Sequence, residues 1–100
     1  MIGSTLEEFL QDIQELDKSE VKFAFRGKKY IMRKELMPIR NVWVFNLDEY
    51  ENLEEDAVCL CSYTFWGNDN SVCAHRFETR RIFDGKTVRE IEAEIEVLRD

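Results

Sequence analysis

Between residues 6 and 32 the spacing of the large apolar side chains changes from three and four to two, and that change fixes the class of fold open to the chain. Leu6, Phe9, Leu10, Ile13 and Leu16 recur at the spacing of one helix face, with acids and amides between them. The pattern predicts a helix over 5–17, with Ser4 and Glu7 three apart as a capping box for its first backbone N–H groups. From Val21 onward the period is two. Val21, Phe23 and Phe25 alternate with Lys22, Ala24 and Arg26, and Tyr30 and Met32 resume the alternation after Gly27-Lys28. A two-residue loop at Gly27-Lys28 pairs Phe25 with Tyr30 and Phe23 with Met32, which keeps the large apolar side chains on one face.

Three further strands are predicted. The first runs over 41–47 after a link containing Pro38, the second over 57–66, and the third over 72–83 with a break near Thr79. Gly67-Asn68-Asp69-Asn70-Ser71, a run of turn formers, joins the last two. Thr87 and Glu90 repeat the capping-box spacing ahead of Val88, Ile91, Ile95 and Leu98, which predicts a second helix over 88–98. Like charges at Glu90 and Glu94, and at Glu92 and Glu96, oppose that helix. The expected architecture is α+β in the order α-β-β-β-β-β-α. An antiparallel sheet of about five strands carries the N- and C-terminal helices on one face, in a single domain over 1–100.

Two stretches, Phe23-Ala24-Phe25-Arg26-Gly27-Lys28-Lys29-Tyr30 and Asp84-Gly85-Lys86-Thr87 leading into Val88-Arg89-Glu90-Ile91, resemble a loose group of small bacterial proteins. Members of that group begin with a helix, continue with such a hairpin and close with a helix headed by Asp-Gly-Lys-Ser/Thr. The resemblance implies this fold and an intracellular bacterial origin. It brings no activity with it.

Composition narrows the function classes. No apolar run approaches the roughly 20 residues of a membrane span, and Met1-Ile2-Gly3-Ser4-Thr5 has neither the basic nor the apolar region of a signal peptide. A cytoplasmic protein with no membrane contact is the expectation. The net charge of −7 disfavours direct nucleic-acid binding. Three cysteines, an odd number, are expected as buried free thiols. Cys59-x-Cys61 and Cys73-x-His75 offer four soft ligands, but each pair sits one residue apart on a predicted strand, unlike the turns that hold zinc. No cofactor is expected. No phosphate loop is complete around Gly27-Lys28 or Gly85-Lys86.

Charge is distributed unevenly. From Lys22 to Arg40 seven basic residues face one acid, Glu35, whereas no Lys or Arg occurs from Asn41 to His75. Six acids crowd into Asp48-Glu49-Tyr50-Glu51-Asn52-Leu53-Glu54-Glu55-Asp56. Such a run is either a solvated surface or one shaped to meet a basic partner, where complementary charge speeds association. A short helical turn there would set Tyr50 and Leu53 side by side among carboxylates. Trp66, beside a turn, is either a lid on the core or an exposed anchor. The leading expectation is a non-enzymatic binding protein for a basic, nucleic-acid-binding protein partner. It would use Asp48, Glu49, Tyr50, Glu51, Leu53, Glu54, Glu55, Asp56 and Trp66. By size and charge it is analogous to phage or mobile-element inhibitors such as anti-CRISPR proteins. The alternative is a small enzyme or metal-dependent sensor using Cys59, Cys61, Cys73 and His75.

Overall fold

In the computed structural model, which describes residues 1–15 and 17–98, the chain turns tightly at Arg26 and Gly27. Both residues have left-handed backbone, with φ of 49° and 78°, as a type I′ hairpin turn requires. Strand β1 (Glu20–Phe25) therefore meets β2 (Lys28–Met37) with Phe25 opposite Lys28, Phe23 opposite Tyr30 and Val21 opposite Met32. The expected loop at Gly27-Lys28 is displaced by one residue and the pairing by two. A shift of two preserves parity, so Phe23, Phe25, Tyr30 and Met32 still share the buried face.

Strands β3 (Val42–Tyr50) and β4 (Cys59–Gly67) extend the antiparallel sheet. Both helices lie on one side of it. Helix α1 (Leu6–Gln14) is shorter than the predicted 5–17 and buries Leu6, Phe9 and Ile13, while Leu16 lies outside the described residues. Its cap is Thr5, whose hydroxyl accepts from the Glu8 N–H at 3.2 Å, one residue later than Ser4.

The fold is α+β with five antiparallel strands and two helices, but the last two elements exchange places relative to the sequence pattern. The predicted strand over 72–83 is helix α2 (Asn70–Thr79), capped by Asp69, whose carboxylate accepts from the Val72 N–H at 3.0 Å. Cys73 and Phe77 are four apart, a spacing common to a strand face and a helix face. Ala74 is buried and His75 exposed, so the helical period prevails. The predicted helix over 88–98 is instead a series of turns, a short 3₁₀ segment (Glu92–Glu94) and β5 (Ile95–Leu98), which pairs antiparallel with β1. Asp84 and Gly85, with φ of 54° and 79°, form a second turn of the I′ kind between Phe83 and Lys86, where the Asp-Gly-Lys-Thr stretch was expected to head a helix. Thr87 and Glu90 still exchange capping-box hydrogen bonds at 3.1 and 3.4 Å, without a helix following them. The sheet order is β4-β3-β2-β1-β5.

The core lies between sheet and helices and is rich in aromatics, among them Phe9, Phe23, Tyr30, Phe45, Phe65, Phe77 and Phe83. Replacing Phe23, which is fully buried, by Ala is expected to destabilise the fold by about 3–5 kcal/mol. Ala24→Ser, on the opposite face, costs well below that, and urea unfolding of both variants checks the difference. A second prediction follows from Lys34, whose ammonium donates to the carbonyls of Asp12 and Glu15 and so closes the C-terminal end of α1. Burial lowers its pKa from 10.5 to about 8. Between those values the unfolded chain binds more protons than the folded one, so this residue makes stability rise with pH. The stability difference between the protein and a Lys34→Met variant should shift in favour of the parent across that window, measured as urea midpoints in a pH series.

Candidate interaction face and edge

Along the helix-free face of the sheet, side chains alternate outward from β2, β3 and β4, and their polar groups are largely paired with one another. Arg33 bridges Glu20 and Asp48 at 3.2 and 2.8 Å, and Asp48 also accepts from Ser62 at 2.6 Å. Thr64 donates to Asn46 at 2.9 Å, and the Lys29 ammonium lies 5.0 Å from the centre of the Tyr50 ring. Asp48 and Tyr50, both candidate binding residues, thus belong to an internal ladder.

Glu49 does not face outward as the acidic run suggested. As the residue between Asp48 and Tyr50 it points to the helix side and is 8% exposed. Its carboxylate accepts from the Tyr30 hydroxyl at 2.6 Å and from the Cys61 thiol at 3.3 Å, with Lys28 at 4.0 Å. Burial, reinforced by that carboxylate, pushes the Tyr30 hydroxyl far above its ordinary value. Glu49 is a structural acceptor for a buried phenol.

The loop from 51 to 58 contains bends and a turn, with no helical turn to set Tyr50 beside Leu53. Tyr50 ends β3, whereas Leu53 is half exposed on the loop. The loop is closed by Glu51, whose N–H donates to the Val58 carbonyl at 3.0 Å and whose carboxylate accepts from the Val58 N–H at 3.3 Å. Asn52 accepts from the Glu54 N–H at 2.8 Å, and Lys29 donates to the Glu54 carbonyl at 2.9 Å. The carboxylates of Glu54, Glu55 and Asp56 make no hydrogen bond or ion pair among the described residues.

Trp66 is no lid. It projects from the helix-free face opposite Val44 and is 44% exposed. The two halves of the expected site are separate, with the acidic loop entering β4 and Trp66 near its far end, on the order of 20 Å away by strand rise. Near Trp66 the β2–β3 hairpin adds a feature missed in the sequence, an exposed apolar tip of Leu36, Met37 and fully exposed Ile39. Its signal was the unbroken apolar run from Leu36 to Ile39.

The basic segment Lys22–Arg40 is mostly engaged internally. Lys22 pairs with Glu20, Arg26 with Asp84 and Glu94, Lys28 with Glu49, and Arg33 with Glu20 and Asp48, while Lys29 and Lys34 are held by carbonyl groups. The alternative cluster does not assemble either. Cys59 is exposed, Cys61 lies beside Glu49, Cys73 is buried on α2 with its thiol toward the Trp43 carbonyl, and His75 is exposed on α2. Among the described residues no group of three or more His, Cys, Asp or Glu is placed to hold a metal ion, and no helix is long and apolar enough to cross a membrane.

The fold and this face define an α+β protein with an open sheet edge beside an acidic loop. No known protein family, curated protein or solved structure matches the chain. The cysteines are not uniformly buried as expected. Cys59 should react with a thiol reagent in the native protein. Cys73, whose pKa burial raises, should react only on unfolding. Mass spectrometry of native and urea-treated protein after alkylation distinguishes them.

Proposed function

We propose that this protein is a non-enzymatic binding protein that engages a positively charged surface of another protein. The observation that carries the reading is the contrast within its ion pairs. Of the seven basic residues in Lys22–Arg40, Lys22, Arg26, Lys28 and Arg33 are ion-paired within the chain and Lys29 and Lys34 are held by carbonyl groups, whereas among the described residues the adjacent carboxylates of Glu54, Glu55 and Asp56 have no partner. A cluster of unneutralised charge on a chain of net charge −7 raises the encounter rate with an oppositely charged surface and discriminates against wrong partners. Exposed Trp66 adds an aromatic of the kind that dominates binding energy once its pocket closes. An inhibitor that covers a nucleic-acid-binding surface is one activity such charge suits.

The test uses the partner retained by the tagged protein from its host lysate. Changing Glu54, Glu55 and Asp56 together to Lys should slow association and flatten its salt dependence while leaving the unfolding midpoint nearly unchanged. Glu51 is left intact because it closes the loop. Rates measured by surface plasmon resonance across a salt series decide it, and an unchanged rate and slope would remove the basis of the reading.

A further inference from the structure

The two edges of the sheet differ. On one side β5 is flanked by the N-terminal segment, where the Ile2 N–H donates to Ile95 and the Val97 N–H donates to Ile2, both at 2.9 Å. On the other side β4 is outermost and, among the described residues, pairs with β3 alone, so alternate N–H and C=O groups along it point away from the sheet. Long edges of this sort are ordinarily blunted by Lys, Pro or inward charges. From Cys59 to Gly67 there is no charged residue and no proline. An irregularity at Glu49/Tyr50 disturbs only the first residues of β4, leaving Cys61–Gly67 regularly paired. Leu60 and Trp66 are exposed along the same strand at 51% and 44%, and Val58, just before it, at 60%.

We propose that the partner docks as an added strand on this edge: an extended segment running antiparallel to β4, uncharged where it passes Trp66 and basic at its C-terminal end. The proposal rests on the preceding reading and specifies how that partner is held. Strand addition supplies main-chain hydrogen bonds that an edge offers to any extended chain, and flanking side chains supply the choice among chains. Here β4 leaves the acidic loop at its N-terminal end and reaches Trp66 near its C-terminal end. An antiparallel segment therefore arrives at Trp66 first and finishes beside Glu54, Glu55 and Asp56, where Lys or Arg neutralises them. Antiparallel pairing is the more stable arrangement per residue. A second copy of the chain fits less well. Self-pairing about a two-fold axis brings two chains of charge −7 together and sets each acidic loop toward the other's Asp69 turn, with no cation supplied by either strand.

The experiment uses the whole protein and synthetic peptides. One peptide alternates Thr and Val and ends in lysines, a second has the reversed order with lysines first, and two more repeat the first with alternate amides N-methylated in either register. The first peptide should bind at least about ten-fold more tightly than the reversed one. It should also slow amide exchange at alternate residues of Cys61–Gly67, and one N-methylated register should lose binding although its charge is unchanged. Equal binding of all four peptides would overturn strand addition and leave charge recognition standing. No binding by any peptide, while the lysate partner still responds to Glu54, Glu55 and Asp56 reversal, would overturn it in the same way. Failure of both experiments would remove the underlying reading as well. Protection of these β4 amides in the protein alone, with a dimer in sedimentation, would assign the edge to a second copy and overturn the proposal.

Discussion

Phe23 is where the layers of this protein are joined. Its ring stacks on Tyr30 at 5.0 Å and meets Phe9 of α1 at 5.1 Å, Phe83 at 6.0 Å and Phe77 of α2 at 6.4 Å. One side chain on β1 thus contacts both helices, the neighbouring strand and the turn at 83–86. Edge and offset contacts of this kind add to the large apolar area that each ring removes from water. The stack has a polar consequence. It fixes Tyr30 with its hydroxyl inside the protein, where an unpaired O–H is costly, and Glu49 reaches in from β3 to accept it. Glu49 in turn accepts from Cys61 on β4, so the placement of three strands' side chains follows from one aromatic contact.

The charges sort by the same logic. Arg26, raised on its left-handed turn residue, reaches Asp84 at 2.6 Å and Glu94 at 2.8 Å, tying the first hairpin to the chain ahead of β5. Exposed pairs of this sort contribute little to stability individually. Their effect here is positional, because each holds a cation against its own acid on the sheet or the turns and none of them reaches the carboxylates of Glu54, Glu55 and Asp56.

How much of this was legible in the sequence depends on which interaction decided each element. The first hairpin could be read because its alternation is local and a register error of two leaves every side chain on its own face. The segments 72–83 and 88–98 could not, because their periods are compatible with either structure and distant partners decide. Cys73 and Phe77 suit a strand or a helix until the Asp69 cap and the position of Ala74 are known. Val88, Ile91 and Ile95 keep helical spacing, but Ile95 is claimed by Phe25 across the sheet. The repelling Glu90–Glu94 and Glu92–Glu96 pairs and the Asp84-Gly85 turn were the local signs against a helix. For the site, the acidic loop and Trp66 were visible as residues, while the burial of Glu49 and the distance between loop and tryptophan depend on strand pairing. The open backbone edge left only an indirect trace, the uncharged stretch from Ala57 to Gly67.

The pairing of β1 with β5 also sets a condition on how the chain comes to be folded. Lys22–Phe25 must find Ile95–Leu98 across most of the sequence, a contact of high loop-closure cost that ordinarily forms late. During vectorial synthesis β1, β2, α1 and much of the aromatic cluster emerge long before that partner does. Until it arrives, β1 presents an uncovered strand whose next residues, Phe23 and Phe25, lack the cover of Ile95 and Val97. The nascent protein therefore passes through a stage with two open sheet edges, and its window of vulnerability to misassociation closes only when the last strand docks.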